Sequence, residues 1–418
     1  MSLSRRGQPR IQLRGIESRL RRTSPAPVLS FIALGLVGIL SLGLLGGPGP
    51  GLVTAKATGD PGDVPNRTPD PVKVFVPVVP QVPQVRGSIL IIKAGNIWSV
   101  SGSDALSQLT TSGHDQYPSW SHDGSTIYFL ALRSAQGNVP CSFVAASGCI
   151  NADVPYILTY PVLARMPASG GSTTAIRSGL YSWSGRRYTF FYGLWQPAVS
   201  PDGKTVALIT DGPDPFSDDY ELALLATTDG RLNRASVAED FGLGHNDPAW
   251  SPDGRVIAYT YNHRNGILAA PRIAIEDVRA GTSRFLTSYG YAEPSFSPDG
   301  RSIVAITTGA RGEDVVILDA STGAVQLRVT SDGGSFQPVW SPAGDQIAFL
   351  RTDGLSIDLW VSTLSGSGTN FSVTGMEPLT SQSGLDGTSK PSWFVPGSEM
   401  LSPPPSQPSG APGGSASP

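Results

Sequence analysis

The sequence is poor in cysteine, in histidine and in charge. Two cysteines in 418 residues exclude a disulfide-built scaffold and a cysteine-rich zinc module. Charged residues make up only 15% of the chain, too few to solvate the outer faces of long helices or of a coiled coil. There are 49 glycines and 37 prolines, and both residues break helices. Short strands joined by tight turns are what this composition supports. A wholly disordered chain is excluded from the other side, because 39% of residues are hydrophobic and eight are tryptophan. The four histidines, His114, His122, His245 and His263, form neither an H-x-x-x-H nor an H-E-x-x-H pattern, and no G-x-S-x-G string occurs. No metal, no cofactor and no catalytic motif is therefore expected.

Charge is distributed unevenly. Residues 1–22 carry seven arginines and one glutamate, while the whole chain has a net charge of −3, so the rest is acidic. An acidic body has no general attraction for phosphate backbones, which argues against nucleic acid as a partner. The basic segment, 1–27, precedes an uncharged run, VLSFIALGLVGILSLGLL, that extends to Gly47. Twenty apolar residues are enough to cross a bilayer. Arginines on the near side predict a cytoplasmic N-terminus and an extracytoplasmic body. A cleaved signal peptide is the alternative, with Ala55-Lys56-Ala57 as a small-x-small site; the length of the run favours a single-pass membrane anchor. Residues 48–87 are proline-rich and read as an extended spacer. Residues 396–418, rich in proline, serine and glycine, read as a disordered tail.

The span between them repeats. Six segments align on a proline: Pro118-Ser-Trp-Ser-His-Asp-Gly, Pro197-Ala-Val-Ser-Pro-Asp-Gly, Pro248-Ala-Trp-Ser-Pro-Asp-Gly, Pro294-Ser-Phe-Ser-Pro-Asp-Gly, Pro338-Val-Trp-Ser-Pro-Ala-Gly and Pro391-Ser-Trp-Phe-Val-Pro-Gly. The first five are each followed by an apolar run such as KTVALIT or RSIVAIT. A strand carrying the aromatic, a tight Pro-Asp-Gly turn with glycine at positive φ, and a returning strand account for the pattern. The compact spacing of 44 residues between Pro294 and Pro338 leaves room for two more strands, the size of a propeller blade. Residues 87–111 hold three strand-like runs without the proline strand, and Pro391-Ser-Trp-Phe is that strand without the rest. Each fragment completes the other. The expected fold is all-β: a six-bladed propeller over 88–395, closed by its C-terminal strand.

The P-x-W-S-P-D-G repeat resembles that of the TolB family of WD-repeat-like propellers, and the same repeat class occurs in the propeller domains of prolyl oligopeptidase-like enzymes. The resemblance implies the fold over most of the chain. It also implies a protein-binding role, because TolB proteins are periplasmic and bind peptidoglycan-associated lipoprotein and colicins. In those proteins an α/β domain precedes the propeller; here a membrane span and spacer are expected in its place.

Two groups of residues are candidates for a site. Long insertions fall at about 132–155, 178–196 and 211–219, all predicted on the face opposite the Pro-Asp-Gly turns. The second is rich in aromatics and arginine: Tyr181, Trp183, Arg186, Arg187, Tyr188, Tyr192 and Trp195, the composition of interface hot spots. Packing of the loop on its own blades is the competing reading. The residues just before the anchor prolines, Tyr117, Gln196, Asp247, Glu293, Gln337 and Lys390, are expected to ring the channel mouth on that same face. Cys141 and Cys149 are expected to form a disulfide outside the cytoplasm. The acidic run from Asp211 to Asp219 matches no calcium loop and reads as a solvated loop. The repeated turn aspartates, Asp123, Asp202, Asp253 and Asp299, read as turn caps. The function expected is a membrane-tethered, non-enzymatic binding or scaffold module for a protein or cell-envelope polymer. The alternatives are a propeller hydrolase or lyase using His245, Asp247 and Glu293, and an extracytoplasmic sensor.

Overall fold

The computed structural model describes residues 84–102, 105–141, 153–182, 188–212, 220–235, 244–262, 270–366, 370–397 and 400. The segment 28–47 lies outside them. Among the described residues no helix is long and apolar enough to cross a membrane.

Six four-stranded antiparallel sheets make six blades. Blade two runs from its inner strand Asp115–Trp120 through Thr126–Pro140 and Asp153–Pro167 to Thr174–Ser178. The inner strands of blades three to six are Trp195–Val199, His245–Trp250, Tyr291–Phe296 and Ser335–Trp340. Blade one takes Val85–Lys93, Asn96–Gly102 and Ala105–Gln108 from the start of the propeller and its inner strand, Ser392–Phe394, from the end. Ile89 pairs with Trp393 across that junction. The Trp393 indole N–H donates to the Arg86 carbonyl at 2.8 Å. The ring is closed by the C-terminal strand.

The blades pack through six apolar clusters, one for each neighbouring pair. Leu350 and Leu359 of blade six meet Ile89 and Trp393 of blade one. Ile92 and Ile97 meet Ile127 and Phe129 between blades one and two. Leu163 and Leu208 share the next interface, and the same holds around the ring. A blade in the ring is therefore buried on both faces. That explains why each second strand reads as a continuous apolar run rather than an alternating one. In blade three, Val206, Ala207, Leu208 and Ile209 are all buried.

Two boundaries differ from the sequence reading. The first strand starts at Val85, which is buried in the cluster shared by blades one and six, so the folded body begins before residue 88. Met400, within the expected tail, packs against that same cluster. The insertion after residue 132 is ordered as strand rather than loop through Pro140. Asp115 pairs with Ala131 at the start of the inner strand. Beyond it, Leu132–Pro140 continues paired with Asp153–Pro161 as a projecting two-stranded arm.

Candidate functional site

The site is built from an irregularity repeated in every complete inner strand. In blade five, Ala292 pairs with Ile306 and Ser295 with Val304, so Glu293 and Pro294 together face one residue. Blades two, three, four and six carry the same bulge. The first bulged residue has positive φ in each: Tyr117 50°, Gln196 49°, Asp247 54°, Glu293 57° and Gln337 51°. Left-handed backbone costs a non-glycine residue about 1–3 kcal/mol. A bulge re-aims a side chain, and here it turns these five toward the axis. The proline that follows has no N–H, so the bulge leaves no donor unpaired at that position.

The side chains form a belt from blade to blade. The Gln196 amide donates to Asp247 Oδ1 at 2.7 Å and accepts from the Asp247 main-chain N–H at 2.8 Å. The Thr260 hydroxyl donates to Asp247 Oδ2 at 3.1 Å and accepts from the Glu293 N–H at 2.9 Å. Glu293 accepts from both the main-chain N–H and the side-chain amide of Gln337. Lys390, from the approach to the closing strand, reaches blade five and donates to the carbonyls of Glu293 and Pro294 at 3.1 and 2.7 Å. The Tyr117 N–H donates to Ser389 Oγ at 3.2 Å.

The belt is electrostatically tense. Burial pushes the carboxyl of Asp247 up, while the Lys390 ammonium and the Thr260 and Gln196 donors pull it back. Burial, then the charges of Asp247 and Glu313, push Glu293 well above the usual carboxylate range. Burial depresses Lys390, against the pull of Asp247 and Glu293. Tyr117 is pushed up to about 12 by burial and by Asp247, so it stays a neutral donor.

A cavity of about 580 Å³ stands on this belt. Tyr117, Gln196, Asp247 and Lys390 are at its floor, and the linings continue along the inner strands to His122, Pro201, Pro252, Pro298 and Pro342 of the turns. No lining residue lies on the other side of the belt. Four of the six residues before the anchor prolines thus form a floor, and the cavity opens toward the Pro-Asp-Gly turns, not toward the long-loop face; Glu293 and Gln337 do not line it. The walls are aromatic: Trp120, Trp250, Phe296, Trp340 and Phe394 contribute. Trp250 and Trp340 give their indole N–H to the carbonyls of Ala198 and Gly344. The buried indole nitrogen of Trp120 has no acceptor.

The turns themselves are structural. Ser200 Oγ donates to Asp202 Oδ1 at 2.7 Å, and the Lys204 N–H donates to the same oxygen at 3.1 Å. The pattern recurs at Asp123, Asp253 and Asp299. These bonds favour the ionised form, holding Asp123 down at about 2 and lowering Asp202.

The long-loop residues are placed differently from one another. Tyr192 is 4% exposed in the core between blades two and three. Its hydroxyl donates to the Ser178 carbonyl and accepts from Arg177. Tyr181 stacks on Tyr192 and on Phe190, and Tyr188 meets Phe190 edge-on. Trp195 packs on Tyr220. These rings serve the packing of the loop. Trp183, Arg186 and Arg187 lie outside the described residues, as do His263, Cys149 and the acidic run after Gly212. Cys141 is disulfide-bonded. A Cβ on Gly137 would meet Thr189, and one on Gly212 would meet the Tyr192 ring, so the described parts of the three insertions gather over blades two and three. His245 is 5% exposed, accepts from the Leu222 N–H through Nδ1, and is held neutral down to about 4 by burial. It faces Tyr259 and Tyr261 in the wall between blades three and four, not the axial cavity. Among the described residues no group of His, Cys, Asp and Glu is arranged to hold a metal ion.

No protein-family model matches the chain. Over 193 residues it is 28% identical to the Tol-Pal system protein TolB of Francisella tularensis, covering 44% of this chain and 42% of that protein. An uncharacterised peptidase, YuxL of Bacillus subtilis, is 30% identical over 132 residues, 30% of this chain and 19% of that protein. The matched stretch thus spans less than half of one relative and about a fifth of the other. A solved TolB structure from Agrobacterium tumefaciens superposes with a TM-score of 0.51 at 19% identity, covering 76% of this chain and 96% of that one. Repeat, closure and relatives together make the folded body of this chain a TolB-like six-bladed β-propeller.

Proposed function

We propose that the protein is a membrane-tethered, extracytoplasmic binding propeller that receives an extended segment of a protein partner in its axial cavity. The observation that carries this is a cavity closed at one end and walled by aromatics. Its volume of about 580 Å³ is that of a ligand pocket. Nothing at the floor is arranged as a nucleophile with a base. His245, the histidine an enzymatic reading would use, accepts a main-chain N–H away from the cavity. The names of the peptidase relatives favour hydrolysis, but their matched stretches cover only a fifth of their length. The tether rests on the apolar run 28–47 and the arginines before it.

Site-specific photocrosslinking in cells tests the reading. A crosslinker at His122, on the turn-side rim, should capture a discrete partner. One at Tyr156, on the projecting arm and 48% exposed, should not. Capture from Tyr156 alone would move the site to the long-loop face.

A further inference from the structure

The belt is short of hydrogen-bond donors. Three carboxylates, Asp247, Glu293 and Glu313, influence one another near the axis, and none of them forms an ion pair among the described residues. The cation beside them, Lys390, directs two of its three N–H donors to backbone carbonyls. Gln337 is 7% exposed, and its Oε1 is buried without a donor. Its Nε2 is fixed on Glu293 Oε1, which sets the orientation of the amide. An ionised carboxylate has about four acceptor positions, and Asp247 has one protein donor on each oxygen. Asp247 is also on the cavity floor. Asp247 therefore faces the cavity with acceptor positions still open, which a group with several donors entering along the axis would fill.

We propose that the channel floor is a receptor for one cationic side chain, a lysine or arginine of the inserted segment, received by Asp247, which lines the cavity. This rests on the axial-binding reading above and adds the chemistry of the inserted residue. A metal ion is the poorer occupant. Among the described residues no group of His, Cys, Asp and Glu is arranged to hold one, whereas an ammonium adds donors to the lone pairs still open on Asp247. Binding a cation favours ionised carboxylates, so it should release a proton from the belt and strengthen as pH rises. The groups that face Glu293 and share that titration are Asp247, Glu313 and Lys390, with Tyr117 facing Asp247 as a neutral donor.

The test uses the full chain in detergent and calorimetric titration with a capped pentapeptide, Gly-Ser-Lys-Ser-Gly, its norleucine analogue, n-butylammonium and calcium chloride. The lysine peptide should bind at least tenfold more tightly than the norleucine peptide. That preference should vanish in Asp247→Asn, grow between pH 6 and 9, and be competed by n-butylammonium but not by calcium. Equal binding of the two peptides would overturn the cation assignment while leaving axial binding intact. A lysine preference that survives Asp247→Asn, competition by calcium in place of n-butylammonium, or no binding by either cationic probe would also overturn it. Partner crosslinking from His122 judges the axial reading independently of these outcomes.

Discussion

Acidic groups occur at the turn end of some inner strands and at the belt end of others, and the two ends treat them in opposite ways. At the turn end, Asp123 and Asp202 are exposed, meet main-chain N–H and serine hydroxyl donors within their own turn, and are held below the ordinary carboxyl range. At the belt end, Asp247 and Glu293 are drawn out of water, bonded to neighbouring blades, and pushed above it. The residue type does not decide which happens. A local turn supplies its donors from five residues of chain, so its bonds form with the turn. The belt draws most of its donors from other blades, 44 to 97 residues away, so it forms only as the blades pack together.

The strongest way to break this contrast is to open the ring. Truncation after Ser389 removes Lys390 from the belt and Trp393 from the core between blades one and six. It should abolish cooperative thermal unfolding, an effect larger than the about 3–5 kcal/mol of a core Trp→Ala. The turns, being local, should keep their strand signal in circular dichroism. Removing residues 402–418 should leave the melting curve unchanged. Next in size is the removal of one belt donor. Gln196→Leu leaves Asp247 Oδ1 and the Asp247 N–H without partners and should cost about 2–3 kcal/mol in denaturant unfolding. Asp202→Ala removes bonds that water replaces at an exposed turn, and about 1 kcal/mol or less is expected. Equal costs would erase the distinction between the ends.

The smallest effect is the dependence on pH, and its sign follows from the direction of each shift. Glu293 is raised above its ordinary 4.5, so its folded state holds a proton that the unfolded chain has lost. Its contribution is complete below 4.5 and is lost as pH rises through the raised value. His245 is lowered from 6.5 to about 4, so its contribution is complete above 6.5 and is lost as pH falls toward 4. Thermal melts should therefore weaken on both sides of mildly acidic pH. Glu293→Gln should flatten the alkaline limb and spare the acid one. An unchanged alkaline limb would mean that the belt carboxylates are solvated like those of the turns.

The sequence by itself determined the blades. Pro-x-aromatic-Ser-Pro-Asp-Gly encodes a strand, a turn and a return within about a dozen residues, so its repetition could be counted, and the unmatched ends at Gly87 and Trp393 showed how the ring closes. The same locality made the role of Asp202 legible. Tertiary structure alone decided the belt. That Gln196 and Asp247 lie along the channel was readable from their place before the prolines. The bulge that sets them at positive φ, the bonds between blades and the opening of the cavity toward the turns were not. Nor was the burial of Tyr192, which the aromatic loop shares with exposed Phe191 in the same composition. The reason is physical. A turn is fixed by neighbours in the chain, whereas the charge state of Glu293 and the direction in which the channel is blocked depend on residues that meet only when six blades close around one axis.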